Sequence, residues 1–188
     1  MSLRTLLLII FLSIIAGVAV FVAVSPKNQT QQGGPQSSLF TPTPAMAYTT
    51  LSLLPNPFTL STPSASVDAS IDTKTNKVTA VQLEISYDPK QLTNVDIAPG
   101  TFFDNPLVLL KNIDEKKGLI TFALAISPAQ SAKQGTGNVA TITFTSNLAK
   151  GTQTEIKVLP ETLVTAEGVS SSVLKSSSGT TIISPIVD

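Results

Sequence analysis

The chain has 188 residues, a formal net charge of zero and only 13% charged side chains, so it carries no basic surface to attract nucleic acid. It contains neither Cys nor His, which removes disulfides, thiol nucleophiles, imidazole bases and the usual zinc sites together. An exported domain without disulfides must be held by its core, and about 140 residues are enough to form one.

Met1–Thr5 carries one charge, Arg4, and Leu6–Val24 then runs LLLIIFLSIIAGVAVFVAV with none. At 1.5 Å per residue this segment is just long enough to cross a hydrocarbon core of roughly 30 Å. A cleaved secretory signal is the alternative. Its apolar region is normally shorter and ends in a small-x-small site. Val22-Ala23-Val24 matches that site poorly, and Ala45-Met46-Ala47 lies too far downstream. The expectation is an uncleaved signal-anchor, with residues 1–5 cytoplasmic and the rest outside a cell membrane crossed once.

Residues 25–47, SPKNQTQQGGPQSSLFTPTPAMA, are rich in Pro, Gln, Ser and Thr and have no apolar period. They read as a disordered tether, extended where Pro is dense. A folded domain is expected over residues 48–188. Thr50–Leu54 is a short apolar run stopped by Pro55-Asn56-Pro57, as suits an edge strand. Within Phe58–Ile71, the apolar Val67, Ala69 and Ile71 alternate with Asp68 and Ser70. The polar turn Asp72–Lys77 leads into the most regular stretch of the chain. There Val81, Leu83, Ile85 and Tyr87 alternate with Gln82, Glu84 and Ser86, a period of two that makes a half-buried strand. Asp88-Pro89 ends it, and Leu92 is expected to tuck back beneath the sheet.

Leu92–Ile97 is a further strand, broken at Pro99-Gly100. Phe102–Asn112 holds two adjacent aromatics and then LVLL; if it is extended, Phe102 and Phe103 cannot both face the core. Asp114–Gly118, DEKKG, is a hairpin signal. After it, Ile120, Phe122, Leu124 and Ile126 share one face. Ala129–Lys133 can make one helical turn at most. In Asn138–Thr145, Ala140, Ile142 and Phe144 oppose Thr141, Thr143 and Thr145. Glu155–Leu159, Leu163–Ala166 and Thr180–Ile183 complete the set. About nine short strands, with turns roughly every ten residues, predict an all-β sandwich or jelly roll.

Alternating hydrophobics ending in YDPKQL (Tyr87–Leu92), then NVDIAPGTFF (Asn94–Phe103), GLITFALA (Gly118–Ala125) and GNVATITFT (Gly137–Thr145) follow the order and spacing of a cohesin module. The chain resembles that family over roughly Leu51–Ile183. The resemblance implies a nine-stranded jelly-roll β-sandwich related to carbohydrate-binding modules. It also implies a partner: a dockerin, a small calcium-loaded module carried by a secreted enzyme, which assembles polysaccharide-degrading complexes. Many dockerin-binding cohesins carry an Asn-x-Asp pair in the strand before Tyr-Asp-Pro. The matching positions here are Ala80 and Gln82, so one of the two side chains keeps hydrogen-bonding capacity. No duplicated calcium loop occurs in this sequence, so a dockerin would belong to a separate protein.

Catalysis finds little support. The carboxylates fall mostly in turns or on outward faces rather than as a spaced pair in a cleft. Serine lacks a His partner, and no nucleophile elbow or phosphate loop is present. Asp72–Asn76 offers several oxygens in one turn, which reads as an Asx turn rather than a calcium site. No cofactor or metal is expected. A sugar-stacking platform needs exposed Trp or Tyr, whereas the chain has no Trp and two Tyr, one of them (Tyr87) pointing inward. Protein binding remains. Gln82, Glu84 and Ser86, with Thr121, Ala123 and Ala125, and with Thr141, Thr143 and Thr145, occupy outward strand positions. Small neutral side chains make a flat surface that a partner covers at low desolvation cost. The same residues also suit plain solvent-facing strands. The resemblance favours binding, and the expected function is a non-catalytic cell-surface module that recognises a dockerin-type partner. Direct polysaccharide binding and a structural role in a surface appendage are the alternatives.

Overall fold

The computed structural model describes residues 47–186. The expected membrane segment Leu6–Val24 and nearly all of the tether lie outside the described residues. Among the described residues no helix is long and apolar enough to cross a membrane.

The residues that alternate in sequence become strands with one buried face. They are β1 (Thr49–Leu54), β2 (Phe58–Thr59), β3 (Ser64–Asp72), β4 (Val78–Ser86), β5 (Leu92–Pro99), β6 (Leu107–Asp114), β7 (Leu119–Ala125), β8 (Thr136–Ser146), β9 (Gln153–Val158), β10 (Leu163–Ala166), β11 (Leu174–Ser178) and β12 (Thr180–Ile183). Two sheets result. The five-stranded sheet has the order β11-β1-β3-β8-β5, and the seven-stranded sheet the order β2-β12-β9-β4-β7-β6, with β10 also paired to β4. Most pairs are antiparallel; β1–β11 and β2–β12 are parallel. The chain changes sheet at nearly every connection, and β6–β7 is a hairpin within one sheet.

Between the sheets lies one apolar layer. Leu51, Leu53, Val67, Ile71, Ile97, Ile142 and Phe144 come from one side, and Val81, Leu83, Ile85, Ile120, Phe122, Leu124, Ile156 and Ile182 from the other. Full burial of such a side chain contributes roughly 1.5–3 kcal/mol, so this layer can hold the domain without cross-links. Tyr87 and Leu92 are buried, as the alternation and the Asp88-Pro89 turn predict. Asp88 closes that turn by accepting the Lys90 N–H on Oδ1 at 2.9 Å and the Leu92 N–H on its carbonyl at 2.9 Å.

Three expectations change. Among the described residues the strands number twelve rather than nine, because Phe58–Ile71 divides into β2 and β3, the LVLL run becomes the strand β6, and β11 is a strand with no apolar alternation. Phe102 and Phe103 are both buried, edge to face with centroids 4.8 Å apart. Their segment is bent rather than extended, so alternation does not apply to it. Ala129–Lys133 stays within the expected limit of one turn: Gln130 N–H closes a turn on the Ser127 carbonyl at 2.9 Å, and Lys133 forms a bridge with Val78. The outward threonines of β8 belong to the sheet opposite β4 and β7. The Asp72 turn is an Asx turn as expected, with Lys74 N–H donating to Asp72 Oδ1 at 3.1 Å.

Candidate functional site

Registration across β10, β4, β7 and β6 decides which outward side chains meet. Leu163 lies opposite Gln82, Gln82 opposite Ala123, and Ala123 opposite Leu110. The next row runs Thr165, Ala80, Ala125, Leu107. On the other side of the leucine row, Glu84 faces Thr121, and Thr121 faces Asn112. Ser86 faces Leu119. Thus Gln82, Glu84, Ser86, Thr121 and Ala123 form one continuous surface on the seven-stranded sheet. Thr141 and Thr143 do not join it. They lie on the outer face of the five-stranded sheet, where Thr141 donates to Asp68 Oδ1 at 2.7 Å and Thr143 stands exposed beside Ser66.

The surface has relief. Side chains stand roughly perpendicular to a sheet, so Ala80, Ala123 and Ala125 make a low floor. Leu163 rises on one side and Leu107 and Leu110 on the other, each 45% exposed. Sequence reasoning missed these leucines. A signal was present: four consecutive aliphatics, Leu107–Leu110, cannot all face inward in a strand. Here β6 is a sheet edge with a bulge between Val108 and Leu110, and the intervening Leu109 is the most exposed of the run.

Glu84 is the charge at the centre. Its Oε1 accepts from Gln82 Nε2 at 3.0 Å and its Oε2 from the Thr121 hydroxyl at 2.8 Å. Among the described residues no Lys or Arg forms an ion pair with it; the nearby Asp114 is paired with Lys117 at 3.4 Å. The backbone of Glu84 is held in an unusual way. Strand β9 pairs with β4 at Ile85 and Ser86, whereas β10 pairs with it up to Gln82. Glu84 falls in the gap. The buried Thr162 fills it, its Oγ1 accepting from Glu84 N–H at 3.0 Å and donating to the Glu84 carbonyl at 3.2 Å. Leu159 N–H adds a bond to that carbonyl at 2.7 Å.

The floor is fixed from below as well. Tyr87 N–H donates to the Gly118 carbonyl at 2.9 Å and ties the end of β4 to the β6–β7 hairpin. Burial pushes the Tyr87 hydroxyl above its ordinary pKa, and the charges of Glu115 and Asp114 push it the same way. Among the described residues no group of three or more Asp and Glu could hold a metal ion. Tyr48 is the one exposed aromatic among the described residues, and it lies at the start of the domain rather than on this face.

The sequence matches the cohesin domain family over residues 64–183, more than half of the chain. The chain belongs to the cohesin family. Solved cohesins have the same fold. The cohesin CaCohA2 from Clostridium acetobutylicum is 20% identical, with a TM-score of 0.59 over 73% of this chain and 90% of that one. The cohesin of a type I cohesin–dockerin complex from Clostridium thermocellum is 13% identical, with a TM-score of 0.62 over 73% and 94%. A non-cellulosomal cohesin from the hyperthermophilic archaeon Archaeoglobus fulgidus is 15% identical, with a TM-score of 0.56 over 72% and 90%. No curated protein matches this cohesin in sequence.

Proposed function

We propose that this cohesin is a non-catalytic docking module. It binds a dockerin-type module of a separate, secreted protein through the outer face of β10, β4, β7 and β6. One observation carries the reading. Registration brings Gln82, Glu84, Thr121 and Ala123 onto a single face, floored by alanine and flanked by exposed leucines. Exposed apolar side chains around a low, mostly neutral floor are what a protein partner covers with gain. The dockerin-bound state of the Clostridium thermocellum cohesin supports the choice of partner. The archaeal relative, described as non-cellulosomal, leaves room for partners other than cellulases. In the same proposal Leu6–Val24 anchors the module to a cell membrane and residues 25–47 hold it away from the surface, where it gathers proteins that act on polysaccharides.

The test is capture by the full chain from the secreted proteins of the source organism, in calcium and then in chelator. Calcium-dependent capture of a protein bearing a duplicated Asp/Asn-rich loop supports the reading. Retention on insoluble polysaccharide with no such capture replaces it with direct glycan binding, a reading that the scarcity of exposed aromatics disfavours.

A further inference from the structure

The docking face carries a charge that no Lys or Arg among the described residues compensates, and this bears on what can sit there. Three strand gaps of about 4.8 Å separate the β10 wall from the β6 wall, roughly 14 Å in all. An α-helix with its side chains is about 10–12 Å across. The trough between Leu163 and Leu107/Leu110 therefore admits one helix lying along the strands; Ala80, Ala123 and Ala125 keep most of its floor low, and Gln82 stands between Leu163 and Ala123. Beyond these alanines along the trough sits the Glu84 carboxylate. Its hydrogen-bond partners, Gln82 Nε2 and Thr121 Oγ1, are neutral. They orient the carboxylate and leave its charge in place. A helix laid over the trough strips water from that charge. Burying a carboxylate without a counter-charge is strongly unfavourable, so the occupant must bring its own cation to this point.

We propose that Glu84 selects the partner of this cohesin: the docking helix presents a Lys or Arg to the Glu84 carboxylate and aliphatic side chains to Leu110 and Leu163. The inference rests on the docking reading above and adds the chemistry of the partner. Thr121 and Gln82 are positioning residues in it, and the leucine walls supply affinity that does not depend on salt.

The probe is the calcium-loaded dockerin of the Clostridium thermocellum complex, made in two forms that carry Lys or Glu at the helix position facing Glu84. Each is titrated against the full chain and against its Glu84→Gln and Glu84→Lys variants, at low and high salt. The Lys form is expected to bind at least about tenfold more tightly than the Glu form, with the difference shrinking as salt rises. Glu84→Gln should remove most of that preference, and Glu84→Lys should reverse it. Thermal melts of both variants, and a Thr143→Ala control on the outer face of the other sheet that keeps the preference, separate selection from loss of fold. Equal binding of the two forms by the wild-type chain overturns the inference while leaving the docking reading standing. Binding of neither form, in calcium, overturns the inference, and the docking reading is then decided by the capture experiment above.

Discussion

Lys111 Nζ lies 2.6 Å from Asp96 Oδ1, and this pair joins the edge strand of one sheet to the edge strand of the other along the open side of the sandwich. The Lys111 hydrogen bond holds the Asp96 carboxyl below its ordinary pKa. The Ile97 N–H helps, and slight desolvation opposes. A carboxylate with a lowered folded pKa contributes stability above its unfolded value, about 3.9, and loses it as pH falls through the folded value.

Asp96→Asn should therefore cost stability at pH 7 and less near pH 2. Both side chains are largely exposed, so screening limits the loss to about 0.2–1 kcal/mol. Urea unfolding at the two pH values checks it. An equal loss at both would show that the side chain acts through packing rather than charge.

Two glycines with the same backbone hand separate strain from contact. Gly118 and Gly168 have φ of +67° and +74°. A Cβ at Gly118 would lie 2.1 Å from the Tyr87 carbonyl oxygen, whereas one at Gly168 meets nothing within 4 Å. Gly168→Ala is expected to cost about 1 kcal/mol, the conformational term alone. Gly118→Ala must also displace the strand end and should cost more than about 2 kcal/mol. Matching losses in denaturant melts would mean that the hairpin gives way freely at Tyr87.

Thr162→Val tests the hydroxyl that fills the gap beside Glu84. It leaves the Glu84 N–H without its partner in a place that water does not reach well, at a cost of about 1–3 kcal/mol. Thr162→Ser should recover most of the loss, because the hydroxyl rather than the methyl makes the bonds. Hydrogen exchange at the Glu84 amide reads the effect directly; unchanged protection in the valine variant would refute the role.

Leu110→Ser should leave the melting midpoint within the small range of surface substitutions, about 0.5 kcal/mol, since Leu110 is half exposed on an edge strand. Partner binding should weaken about tenfold. Thr143→Ala, on the opposite outer face, should change neither. A binding loss at Thr143 matching that at Leu110 would move the docking surface to the five-stranded sheet.

The sequence displays the sandwich most clearly where apolar alternation and burial are the same pattern. Val81, Leu83 and Ile85 in β4, Ile120, Phe122 and Leu124 in β7, and Ala140, Ile142 and Phe144 in β8 are all buried. Alternation tells inward from outward. It does not tell which sheet a strand joins, because pairing is set by residues distant in the chain. For that reason Thr141 and Thr143 looked equivalent to Gln82 and Glu84 and face the other way. β11 was invisible because Lys175–Ser178 is polar on both faces and is held by its parallel neighbour β1. Leu107–Leu110 read as an apolar run to bury, when an edge strand with a bulge leaves it at the surface.

The parallel pairing of β1 with β11 has a kinetic consequence. Thr49 enters a ladder whose other rail, beginning at Leu174, is synthesised near the end of the domain, and β12 is likewise needed to give β2 its partner. The local β6–β7 hairpin can form early, but neither sheet can be completed until almost all of the domain has been made. Because contacts between distant segments slow folding, the module is expected to fold late and as a unit, after its last strands have emerged, rather than strand by strand as they appear.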